Sequence, residues 1–243
     1  MVHPQQLNKD RLYANSHPRI GAAFTQCFNE DLTCLLGGER IPQRPEEQSR
    51  MKFFGGCCED VDVVTKSATI TTEEADALTL ERVARREFMA ETGYDTQEGK
   101  DGCFALLERI NLTHHVGPDR KIKGYFVGLL KSSAQPCATR LEASEMRAPI
   151  WIPVANVLRG EHNGIKMIPQ HQEAGVLAIS HMMHLLDESI EADPQGERTI
   201  TADLKKKRDS LSMEIAFALG SRNLSSLEEY AALIALEARQ GIR

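Results

Sequence analysis

The chain has 243 residues, enough for one large domain or one domain with an extension. Its 41% hydrophobic and 26% charged residues are ordinary for a soluble globular protein. A net charge of −6 speaks against nonspecific nucleic-acid binding, and no apolar run approaches the roughly 20 residues of a membrane span. Met1-Val2-His3-Pro4-Gln5-Gln6 lacks the shape of a signal peptide, and six cysteines without a Cys-x-x-Cys pair read as reduced residues of a cytoplasmic protein.

In chain order, residues 1–18 read as an irregular polar arm. Arg19 to Phe28 and Leu32 to Leu36 flank the turn signal Asn29-Glu30-Asp31 and predict a hairpin ended by Gly37-Gly38. Residues 39–51, with Arg40 and Arg44 among their charges, read as a loop. Lys52 to Gly56 predicts a short strand entering a glycine turn. Residues 57–71 form an excursion in which Val61, Val63, Val64 and Ile70 give some strand character. Cys57-Cys58 begin it, and with no histidine at ligand spacing they read as structural.

Thr71 and Glu74 make a capping box that opens a helix over 72–92, about 31 Å at 1.5 Å per residue. Val83, Ala84, Phe88 and Met89 fall on its buried side, and Gly93 sits where a C-cap needs left-handed backbone angles. Glu87 and Glu91 are four residues apart, one above the other. On spacing alone, that pair is either a solvated helix face or a carboxylate site.

Two further strands, 102–113 and 121–131, predict a central hairpin of a mixed sheet, turning through 114–120. Residues 132–148 read as a loop or partly helical stretch carrying Glu142 and Glu145. A strand at Ile150-Trp151-Ile152 leads into a short helix at 154–158, and a broadly apolar helix follows over 169–186. The acidic stretch 187–199 reads as a linker. Beyond it, Leu204, Leu211, Ile215, Ala218 and Leu219, then Leu227, Tyr230, Ile234 and Ala238, stripe the two helices of an αα-hairpin over 200–243. Such a hairpin cannot bury both stripes alone, so it is expected to pack on the preceding domain or on a second subunit, with a homodimer favoured. His181 and His184 have a spacing usable for metal but no accompanying carboxylate or cysteine motif. Phosphate-loop, His-Glu-x-x-His and Gly-x-Ser-x-Gly patterns are absent.

Arg86-Glu87-Phe88-Met89-Ala90-Glu91-Thr92-Gly93-Tyr94 resembles the end of the Nudix box, Arg-Glu-(apolar)-x-Glu-Glu-x-Gly-(apolar), with Ala90 in place of the first glutamate of the Glu-Glu pair. Upstream the family has a glycine, five residues, a glutamate and seven residues before the arginine. Counting back puts Leu78 and Thr72 at those two positions, whereas Phe53-Phe54-Gly55-Gly56 looks like the strand-and-glycine entry, followed by an insertion of about sixteen residues. The resemblance implies an α/β (α+β) fold: a Nudix-like mixed sheet sandwiched between helices over 19–190, with the insertion near 57–71, an excursion near the site in the manner of a lid, and a C-terminal helical extension.

It also implies a metal-dependent hydrolase cleaving a pyrophosphate bond in a nucleoside-diphosphate-linked substrate, ADP-ribose-like or a nucleotide sugar. Mg²⁺ or Mn²⁺ would neutralise the diphosphate and activate water. By position, Glu87 and Glu91 become metal ligands, with the Gly56 carbonyl as a third. Arg86 orients the glutamates, and Glu142 or Glu145 supplies the base. Arg40 and Arg44 fall near the phosphate end of the substrate, as anion contacts or as solvated loop residues. Ala90, Leu78 and the displaced glycine favour an alternative: a Nudix-fold nucleotide-binding or regulatory protein that no longer hydrolyses. Neither reading expects a nucleic-acid or membrane partner.

Overall fold

The computed structural model describes residues 19–42, 47–96, 103–136 except 111–120, 146–192 and 199–239. Nine strands and five α-helices are described. They are β1 (Ile20–Phe28), β2 (Cys34–Arg40), β3 (Arg50–Lys52), β4 (Phe54–Cys57), α1 (Thr72–Thr92), β5 (Phe104–Ile110), β6 (Ile122–Leu130), β7 (Ile150–Pro153), α2 (Val154–Arg159), β8 (Glu161–His162), β9 (Ile165–Lys166), α3 (Pro169–Glu191), α4 (Thr199–Gly220) and α5 (Leu227–Arg239).

The main sheet has the order β3-β2-β1-β6-β5, with β7 also paired to β2 and β4 to β1. It is mixed, because β1 and β6 run parallel from Ile20↔Ile122 to Phe28↔Leu129 while the other pairs are antiparallel. Strand alternation sends side chains to two cores. On β1 and β6, Phe28, Tyr125 and Val127 join a cluster with Val176, Ile179 and Met182 of α3. Ala23 and Phe126 point the other way, to Leu80, Val83 and Ala84 of α1. Cys27, Leu36 and Leu130 meet Phe88 of α1 and Phe104. The sheet is therefore sandwiched between α1 and α3, as expected for the fold class.

Several boundaries shift. Gly37-Gly38 does not end β2, because β7 pairs with Gly37 through Ile150 and β3 pairs with Gly38 through Lys52. Arg40 is thus the last residue of a strand and not part of a loop. β5 and β6 pair antiparallel, with the turn expected at 114–120 outside the described residues, but β6 is central and β5 lies at the end of the order. The stretch 187–191 is the end of α3 and not a linker. Beyond Cys57, which ends β4, strand character in 58–71 shrinks to one bridge, Ser67 with Ile70, beside a 3₁₀ turn at Asp60–Asp62.

The C-terminal hairpin packs on its own chain. Leu211 of α4 and Leu227, Tyr230, Ala231 and Ile234 of α5 enter the same buried cluster as α3. Tyr230 donates its hydroxyl to the Leu158 carbonyl, and Arg208 Nε meets Asp187 at 2.9 Å. Ser226 Oγ accepts the Glu229 N–H at 3.2 Å, and Glu229 Oε2 accepts the Ser225 N–H at 2.9 Å and its hydroxyl at 2.7 Å. No described helix is long and apolar enough to cross a membrane.

Candidate functional site

Helix α1 begins and ends where its local code dictates. Thr71 Oγ1 accepts the Glu74 N–H at 3.2 Å and Glu74 Oε2 accepts the Thr71 N–H at 2.7 Å, satisfying two otherwise orphaned donors. Gly93 closes the helix at φ 77°. Ala75, Leu80, Val83, Ala84 and Phe88 are buried, but Met89 is not: at 41% exposed it lies outside the apolar stripe. That leaves Arg86, Glu87 and Glu91 on the flank that faces β4.

Two consecutive glycines of β4 meet these glutamates. A Cβ on Gly56 would come within 2.5 Å of the Glu87 carboxyl carbon, so only glycine lets the carboxylate lie against this strand. Gly55, at φ 147°, could not carry a Cβ without approaching the Ala23 carbonyl at 2.2 Å. Its N–H donates to Glu91 Oε2 at 2.8 Å. The other oxygen of Glu91 faces Lys52 Nζ at 3.5 Å, and both side chains are only 9% exposed.

Arg86 is the hub of the neighbouring charges. Its Nε and Nη2 reach the two Asp62 oxygens at 2.9 Å each, Nη2 also donates to the Cys57 carbonyl at 3.0 Å, and Nη1 lies 2.9 Å from Glu87 Oε1. Burial opposes the charge, yet the Asp62 hydrogen bonds and the charges of Glu87, Asp62 and Glu59 hold the Arg86 guanidinium above its ordinary pKa. Asp62 is itself buried and fixed, its Oδ2 accepting the Glu59 N–H at 2.9 Å.

Asp62 stands six residues after Gly56, the place of the glutamate in the box when counted forward from the glycine. The insertion therefore lies after Asp62, separating it from Arg86 by 24 residues where the box has eight. Leu78, reached by counting back, is 43% exposed, and Asp62 holds the acid partnership with Arg86. The excursion is strapped to α1 where Val64 N–H meets Thr79 Oγ1 at 3.0 Å. Cys58 is buried, and its thiol is pushed up to about 11 by burial and then by Asp62; Cys57 is exposed. Among the described residues, neither cysteine belongs to a metal-holding group.

Lys52 was not anticipated as a site residue. The residue after it, Phe53, donates its N–H to Nδ1 of His171 on α3 at 3.0 Å, which makes Nδ1 the unprotonated nitrogen. Burial, then the charges of Lys52, Lys123 and Arg40, push His171 down to about 3. Arg40 thus lies within electrostatic reach of the same region, while Arg44, Glu142 and Glu145 fall outside the described residues. His184 pairs with Glu188 at 3.2 Å. A cleft of about 690 Å³ lined by Arg159, Phe217, Arg222 and Tyr230 lies among α2, α4 and α5, across the sheet from Glu87.

The donor set fits a divalent cation poorly. Glu91 already serves an ammonium and a backbone N–H, Glu87 is held by Arg86, and Ala90 contributes no oxygen. Among the described residues, no three His, Cys, Asp or Glu side chains form a group able to hold a metal.

No family model matches the sequence, and no curated protein does. Solved structures show a distant likeness. A Nudix hydrolase from Nitrosomonas europaea is 11% identical, over 67% of this chain and 90% of that one, at a TM-score of 0.40. One from Alicyclobacillus acidocaldarius is 14% identical, over 65% and 91%, at 0.41. The Nudix domain of Shewanella oneidensis NrtR, complexed with ADP ribose, is 15% identical, over 75% and 99%, at 0.41. Scores below 0.5 at these identities record a likeness and assign nothing. The resemblance to a divergent Nudix protein stands on this chain's own strand, glycine pair, Asp62, Arg86, Glu87 and Glu91.

Proposed function

We propose that this protein binds a nucleoside-diphosphate-linked ligand in a Nudix-like cleft beside Glu87 and Glu91, in a regulatory or sensing role, without hydrolysing it. The observation that carries this reading is the Lys52–Glu91 ion pair. A glutamate that would have to ligate a metal is neutralised within the fold, and its second oxygen is taken by Gly55 N–H. With Ala90 beside it, the helix face offers fewer free carboxylate oxygens than a hard cation requires. The test is a calorimetric titration of ADP-ribose and a nucleotide sugar into the protein in excess chelator. Binding is expected there; binding only after Mg²⁺ or Mn²⁺ is added would contradict it.

The competing reading is a metal-dependent pyrophosphohydrolase, with Glu87, Glu91 and the Gly56 carbonyl as ligands and Glu142 or Glu145 as base. It is favoured by the retained packing of Gly56 against Glu87 and by the Arg86 bridge to Asp62 and Glu87. Hydrolysis of the bound ligand separates the two. Self-association as a homodimer is part of either proposal and would be read from mass in solution.

A further inference from the structure

We propose that Lys52 is the built-in counter-cation of the α1 glutamates, occupying at Glu91 the electrostatic place that a divalent ion would fill. It rests on assigning the α1–β4 cleft as the ligand site, but concerns how that cleft is charged before any ligand arrives. Lys52 ends β3, where pairing of Gly38 with Lys52 fixes its backbone. Its side chain is 9% exposed and its Nζ lies 3.5 Å from Glu91 Oε1, while Gly55 N–H holds Oε2 at 2.8 Å. A lysine this well buried has surrendered most of its hydration, and only a fixed carboxylate nearby makes that tolerable.

The geometry makes metal and lysine alternatives. A cation bound at Glu91 Oε1 would stand beside the Lys52 ammonium, and two positive charges so close repel strongly in a shielded site. Ala90 points the same way. The chain lacks one acid on this helix face and carries one buried base, and both departures make the face less negative, leaving less charge for a divalent ion to neutralise. Ligand-independent consequences follow: wild-type stability should not respond to divalent cations, and removing the ammonium should create a response.

The experiment compares thermal unfolding and calorimetric titration of Mg²⁺ and Mn²⁺ for wild type, Lys52→Met, Lys52→Arg and Lys52→Met/Glu91→Gln, all without ligand. Wild type and Lys52→Arg should show the same melting temperature in chelator and in millimolar-scale metal. Lys52→Met should melt lower and recover with Mg²⁺ or Mn²⁺, but not with NaCl of equal ionic strength, and its metal affinity should rise roughly tenfold or more. The double variant should show neither the full loss nor the recovery. A wild type that binds divalent metal as tightly as Lys52→Met overturns the proposal, and if Lys52→Met folds poorly, a wild type whose melting temperature rises in Mg²⁺ or Mn²⁺ but not in NaCl of equal ionic strength overturns it by itself. Because no nucleotide is present, failure here removes the argument that the site dispenses with metal, while binding of a diphosphate-linked ligand is still read by its own titration. Conversely, failure to bind any diphosphate compound would leave the role of Lys52 intact.

Discussion

Arg86 grips Asp62 with a two-pronged guanidinium–carboxylate pair, Nε to Oδ1 and Nη2 to Oδ2 both at 2.9 Å, across 24 residues of chain. Nη1 of the same arginine meets Glu87 at 2.9 Å. One side chain thus ties the excursion after β4 to the helix and aims a glutamate at Gly56. Asp62→Ala should leave a partly buried arginine short of its main partner and lower stability by about 3 kcal/mol. Asp62→Glu, with a carboxylate on a longer stem, should recover part of that loss. Denaturant unfolding checks both; equal stability of wild type and Asp62→Ala would show that the fork does not hold the excursion.

Acid sensitivity should trace partly to His171. Its folded pKa is lowered from 6.5 to about 3 by burial and by nearby cations, so the unfolded chain takes up the proton more readily. The contribution to stability is therefore complete above about pH 6.5 and is lost progressively as pH falls towards 3. His171→Gln, which keeps an acceptor for the Phe53 N–H, should flatten the fall in melting temperature across that window. An unchanged pH profile would assign the acid response to other groups.

Ala90 lies three residues after Glu87 and one before Glu91, half-exposed on the same helix. Ala90→Glu adds a carboxylate beside Glu87 and should tighten Mg²⁺ or Mn²⁺ binding in calorimetry, since charged oxygen ligands set affinity for hard cations. Equal affinities for wild type and variant would separate this stretch of α1 from any metal site.

Deleting residues 200–243 removes Leu211, Leu227, Tyr230 and Ile234 from the core and strips the cover from α3. Truncating each such side chain costs about 2–4 kcal/mol, together comparable with the roughly 5–15 kcal/mol net stability of a domain. Aggregation or a collapsed melting transition is expected. A well-behaved, unchanged monomer would contradict the shared core, and loss of a dimer alone would move the hairpin's importance to a subunit contact.

What the sequence reveals and what it hides follow a physical divide. Helix α1 is legible to the residue because its start and stop are local: Thr71 with Glu74, and Gly93 at positive φ. Phe54-Gly55-Gly56 and the Glu87–Glu91 pair can likewise be placed from spacing. Asp62 was missed by counting back from Arg86 through the insertion, although counting six forward from Gly56 would have found it. Lys52 left no such trace, because its meeting with Glu91 exists only once β3 and α1 pack. Met89 was placed on the buried side by periodicity, and the helix turned it outward because Phe88 and Thr92 already fill that face.

Phosphorus NMR of ADP-ribose and a nucleotide sugar incubated with the protein, first in chelator and then in Mg²⁺ or Mn²⁺, tests the central claim most directly. Binding without turnover predicts diphosphate resonances that shift or broaden with protein in chelator and never give way to monophosphate when metal is added. Monophosphate that accumulates only with metal, and that Glu91→Gln abolishes, would contradict it and establish the glutamate pair as a hydrolytic site.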